Sequence, residues 1–84
     1  MNNYNFLSKE EFIDCINRGC EVEFLYNQRH FTLTHCNEGI SIMEVCNENS
    51  EIIYNTSIAL LNFIIDGKKL EKIITKIEVM DRTF

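Results

Sequence analysis

The sequence predicts an α+β fold: an N-terminal helix, an antiparallel β-meander of three to four strands, a short buried segment, and a C-terminal helix on the same sheet face. Three observations predict it. A capped apolar stripe of helical period opens the chain, period-two alternation follows on both sides of a two-residue turn, and a second helical stripe closes it. The 84 residues are read as one domain, 1–84, a length at which a chain builds a single core.

Leu7-Ser8-Lys9-Glu10-Glu11-Phe12 carries the start of the first helix. Ser8 can accept from the backbone N–H of Glu11, and Glu11 can reach back to the N–H of Ser8. Leu7 and Phe12 hold the two positions of a hydrophobic staple. Phe12, Ile13 and Ile16 form one apolar face, and Gly19 can end the helix in the left-handed region, giving a helix over 8–18.

The stretches 21–26 and 29–34 alternate apolar and polar residues around Asn27-Gln28. Closing a hairpin there pairs Tyr26 with Arg29, Phe24 with Phe31 and Val22 with Leu33, so the apolar side chains share one face. Asn37-Glu38-Gly39 reads as a three-residue turn with Gly39 in the bulge position. That loop pairs Leu33 with Met43 and Phe31 with Val45. It leaves Ile42 and Glu44 on the outer face with Glu21, Glu23, Thr32 and Thr34. A fourth strand is expected at 51–54, and Thr56-Ser57 can cap a short helix. For 58–65 the pattern leaves helix or strand open. Asp66-Gly67 is a turn, and Leu70, Ile73, Ile74 and Ile77 mark a closing helix. Residues 78–80 can form a last edge strand.

Composition narrows function. The net charge of −5 opposes direct binding to nucleic-acid phosphates. The first six residues lack the basic and apolar parts of a secretory signal. The uncharged stretch 52–65 is broken by Tyr54, Asn55, Thr56, Ser57 and Asn62, so no membrane span is expected. A cytoplasmic location with reduced thiols follows as the expectation. Charge is uneven: between His30 and Asp66 stand Glu38, Glu44, Glu48, Glu51 and Asp66 and no Lys or Arg. Lys69, Lys72 and Lys76 make a basic stripe on the expected last helix, read as a solvated face.

No catalytic or cofactor site is expected. Each of the three glycines has a turn or cap to explain it, which leaves no phosphate-cradling loop. Cys36 beside His35 is the one adjacent pair, but strand neighbours point to opposite faces. The four cysteines lack the tight paired spacing of structural zinc sites. The hairpin does bring Cys20 opposite His35, so a cluster of Cys15, Cys20, His35 and Cys36 is the only arrangement that would suit a metal, and none is assigned. The outer sheet face offers more. Glu21, Glu23 and Glu44 beside the exposed aliphatic Ile42 form a candidate surface for a basic protein partner.

The frame Glu-Phe-Ile-x-x-Ile-x-x-Gly-x-Glu-Val-Glu-Phe-x-Tyr-Asn from Glu11 to Asn27, followed by Ile65-Asp66-Gly67-Lys68-x-Leu70-x-x-Ile73-Ile74, resembles small uncharacterised proteins of phages, prophages and plasmids in low-GC Gram-positive bacteria. Proteins of this size and source include inhibitors of bacterial defence systems, such as anti-CRISPR proteins. The shared motifs are a cap, a hairpin and a turn, so the resemblance carries no functional residue over. With that context, the Lys- and Arg-free stretch from His30 to Asp66 supports the expectation of a non-enzymatic protein-interaction module, an inhibitor that occludes a basic surface of its partner. A DNA mimic would be more acidic than −5. Two other functions stay open: a structural subunit of a homo-oligomer, and a small metal-binding regulator.

Overall fold

A computed structural model describes residues 4–83; residues 1–3 and 84 of the expected domain lie outside the described residues. Helix α1 (Lys9–Asn17) starts where its cap predicts. Ser8 Oγ accepts the Glu11 N–H at 3.0 Å, a bond that stabilises such a helix by about 1 kcal/mol. The reciprocal bond differs from expectation, since Glu11 Oε1 accepts from the N–H of Leu7 at 3.0 Å rather than from Ser8. The staple also differs. Leu7 is 84% exposed, and Phe6 is buried instead, its ring edge-on to Phe12 at 5.2 Å. A Phe ring hides more apolar area than Leu, so the chain enters the helix with Phe6 beneath it. Gly19, at φ +90°, ends α1. Its N–H reaches the Ile16 carbonyl at 3.0 Å and that of Cys20 reaches the Cys15 carbonyl at 3.1 Å, the paired bonds of a Schellman motif.

Strands β1 (Glu21–Tyr26), β2 (Arg29–Cys36), β3 (Gly39–Glu44) and β4 (Ile52–Tyr54) form the expected meander. The first hairpin has the predicted register, Tyr26 to Arg29, Phe24 to Phe31 and Val22 to Leu33. Its turn residues Asn27 and Gln28 both take positive φ, 51° and 66°, the conformation that matches strand twist.

The second hairpin corrects the sequence reading. Cys36 pairs with Gly39, Leu33 with Ile42 and Phe31 with Glu44. The loop is therefore Asn37-Glu38, one residue shorter than expected, and a one-residue slip turns every β3 side chain to the other face. Ile42 lies in the core at 0% exposure, with Ile40 at 6%. Gly39 does not serve as a bulge residue. It sits in the ladder at φ +142°, where an added Cβ would lie 2.2 Å from the Tyr54 carbonyl oxygen. The backbone of β4 thus crosses Gly39 closely enough to require glycine.

After a 3₁₀ turn (Glu48–Ser50) and β4, Thr56 Oγ1 caps α2 (Ser57–Leu60) by accepting the Ala59 N–H at 3.0 Å. The open question at 58–65 resolves into that one-turn helix followed by β5 (Ile64–Ile65), which pairs with β6 (Lys68–Lys69) around Asp66-Gly67. The C-terminal helix is shorter than its pattern suggests. Helix α3 covers only Leu70–Ile73, and the described residues end in strand β7 (Glu78–Thr83), antiparallel to β1. Leu70, Ile73, Ile74 and Ile77 are all buried, so their spacing correctly marks the core-facing positions. The open edge of β1 then recruits the following residues, because strand pairing satisfies the backbone groups of both chains. Without a long helix, the Lys69–Lys72–Lys76 stripe is not one helix face.

The five-stranded sheet runs β4-β3-β2-β1-β7. One apolar cluster joins α1, α2, β5 and α3 to the inner face of the sheet, a two-layer arrangement. Among the described residues no helix is long and apolar enough to cross a membrane.

Candidate functional site

Strand alternation sorts the proposed docking residues onto different sides. Val22 and Phe24 are buried at 3% and 0%, so Glu21 and Glu23 point away from the core. Glu23 pairs with Thr32 on one side and Asp81 on the other, and Glu21 pairs with Thr83. Ile42 and Glu44 do not join them. Both project to the core side, Ile42 fully enclosed and Glu44 at its rim.

Asp81 was not foreseen. On a regular strand Val79 and Asp81 would share a face, yet Val79 sits opposite Phe24 and Asp81 opposite Glu23. The bulge at Met80 supplies the extra residue that sends Val79 inward and Asp81 outward. Glu21, Glu23 and Asp81 then surround a shallow depression of about 130 Å³ with Thr32, Thr34 and Thr83. The carboxylate of Glu23 contacts His30 Nε2. Among the described residues neither Glu21 nor Asp81 makes an ion pair. No Lys or Arg occupies an outward register position on β1, β2 or β7. The face is thus anionic, with two uncompensated carboxylates beside a third.

Glu44 has a structural role. Arg29 grips it side-on, Nε to Oε2 and Nη2 to Oε1 both at 2.9 Å, and reaches Asp66 Oδ1 through Nη1 at 2.6 Å. Asn27 Nδ2 donates to the other Asp66 oxygen at 3.1 Å. This clasp ties the β5–β6 turn to the β1–β2 turn. The Lys- and Arg-free stretch 30–66 is therefore not one acidic surface: Glu44 and Asp66 are spent on Arg29, and Glu51 accepts from Ser41 Oγ at 2.5 Å.

The bonds from Arg29 hold the Glu44 carboxyl below the usual carboxylate range, while Asn27 first and Arg29 second do the same for Asp66. The Arg29 guanidinium is correspondingly raised, by Glu44 first and Asp66 second. Carboxyls depressed on folding contribute stability that is present above their unfolded value of about 4 and lost as pH falls through the lower folded value. Urea midpoints measured from about pH 5 downwards should therefore fall in acid, and Arg29→Met should flatten that dependence. An unchanged slope in the variant would remove the clasp as its source.

Cys15 and Cys20 are buried and Cys36 and Cys46 exposed, all as thiols. Cys20 does lie opposite His35, whose Nε2 donates to the Cys20 carbonyl oxygen at 3.1 Å. Among the described residues no group of three or more His, Cys, Asp or Glu side chains is placed to hold a metal ion. Protein-family models, curated proteins and solved structures were all compared with this chain, and none matches it.

Proposed function

We propose that the protein is a non-enzymatic interaction module whose outer sheet face docks on a basic surface of a protein partner, as an inhibitor carried by a mobile element would. The observation that carries this reading is the grouping of Glu21, Glu23 and Asp81 on a sheet face that none of the described helices covers. A solvated antiparallel face ordinarily mixes charges of both signs. Here every formal charge at the centre is negative, and the three threonines add hydroxyls that can donate to or accept from a partner.

Such a surface acts mainly on association rate and is screened by salt. The test begins with capture from host extract on the immobilised chain, followed by kinetics with the purified captured protein. Glu21→Lys, Glu23→Lys, Asp81→Lys together should slow association by roughly tenfold or more at low salt, with wild type and variant converging at high salt. Melting temperature should barely move, since exposed charges contribute little to folding. The reading fails if the triple variant binds at the wild-type rate while Lys69→Glu, Lys72→Glu abolishes binding.

A second reading, a homo-oligomer, has one observation in its favour. The β4 edge presents Ile52 at 45% and Ile53 at 42% exposure, whereas the opposite edge at β7 carries a bulge and acidic residues that discourage pairing. Light scattering during gel filtration decides it, a monomer mass excluding this alternative.

A further inference from the structure

The Schellman motif that ends α1 normally brings an apolar residue of the last helical turn against one two positions past the cap. In this chain those two residues are both cysteines. The Cys20 N–H donates to the Cys15 carbonyl at 3.1 Å, and the Gly19 N–H to that of Ile16 at 3.0 Å, which folds the chain back so that both cysteines enter the same core cluster, with Cys20 Sγ donating to the Glu21 carbonyl oxygen at 3.6 Å. Cys20 is 0% and Cys15 5% exposed. Cys15 also lines a cleft of about 300 Å³ with Tyr4, Glu11, Asp14, Arg18 and Arg82, so one member of the pair borders a space that a small molecule can enter. From this juxtaposition we infer that Cys15 and Cys20 form a dithiol site that is oxidised to an internal disulfide by low-molecular-weight disulfides.

The order of events follows from access. The Cys15 thiolate attacks one sulfur of the incoming disulfide and expels the other as a thiolate, leaving a mixed disulfide at the cleft. Cys20 then gives up its proton and attacks Cys15 Sγ, expelling the second small thiolate. Two protein thiols lose two electrons and two protons, and one small disulfide becomes two small thiols. Burial first, and the neighbouring Cys15 second, push the Cys20 thiol up to about 12. Cys20 is therefore a poor initial nucleophile and serves as the resolving thiol, its low thiolate fraction offset by its position beside Cys15. The product cross-links the end of α1 to the residue before Glu21.

The probe is oxidised glutathione at about pH 8, applied to the Cys36→Ser, Cys46→Ser variant, which keeps only the buried pair. Intact mass should fall by about 2 Da with no retained glutathione. Adding Cys20→Ala should leave Cys15 carrying one stable glutathione, because no resolving thiol remains. The ratio of internal disulfide to adduct should be at least about tenfold higher in the folded protein than in urea. A two-thiol protein that stays reduced, one that retains two glutathiones, or one that gives the same ratio folded and in urea would each overturn the inference.

Discussion

Ile42→Ala should destabilise the domain by about 2–5 kcal/mol, and Met43→Ala by less than about 1 kcal/mol. The expectation rests on the β2–β3 register. With Leu33 opposite Ile42, the Ile42 side chain is wholly enclosed, and truncating it removes buried methyl groups and leaves a cavity among rigid neighbours. Met43, one residue on, faces the opposite side of the sheet. A three-residue loop would reverse the two effects, so this pair of variants reads the register directly in urea denaturation. Domains of this kind have about 5–15 kcal/mol in total, so the larger loss is visible as a marked drop in midpoint. Equal midpoints for the two variants would contradict the observed pairing.

Gly39→Ala should cost about 3 kcal/mol, more than the same change at either of the other two glycines. The new Cβ would fall 2.2 Å from the Tyr54 carbonyl oxygen, 3.1 Å from its carbon and 3.2 Å from Asn55 Cα. All three are backbone atoms, so no side chain can rotate away, and φ of +142° is itself costly for alanine. Relief requires β4 to part from β3, which would unpair Ile40 from Tyr54 and Ile42 from Ile52. Hydrogen exchange should therefore rise at β4 amides as thermal stability falls. At Gly19 and Gly67 nothing lies within 4 Å of an added Cβ, leaving only a conformational penalty of about 1–2 kcal/mol. A Gly39→Ala protein as stable as the Gly67→Ala protein would mean that β4 does not lie where the structure has it.

These variants probe the place where local pattern and tertiary packing part company. Around Asn27-Gln28 the two-residue turn and the flanking alternation agree on one register, so the first hairpin was legible without coordinates. Around Asn37-Glu38-Gly39 they do not. Ile40 and Ile42 alternate as an apolar pair, and so do Met43 and Val45, one residue out of phase. Either set can face the core, and a glycine after Asn-Glu suits both loops. The choice falls to β4, whose backbone approaches Gly39 and whose Ile52 pairs beside Ile42, contacts ten or more residues away.

The acidic face shows the same division. Glu21 and Glu23 followed from alternation on β1. Glu44 was misplaced by the register slip, and Asp81 was hidden because it lies past the edge strand expected at 78–80 and only a bulge at Met80 brings it beside Glu23. The Arg29 clasp was equally out of reach, joining residues 15 and 37 positions apart.

By itself the sequence determined the first helix and its cap, the first hairpin with its register, and which apolar positions of the C-terminal segment are buried. These depend on interactions within a few residues, where spacing states the geometry. The tertiary structure decided the second register, the length of the last helix and the members of the outer face. Each of those depends on a strand edge or a close backbone approach supplied by a distant segment, and periodicity records which side chains are buried without recording what buries them.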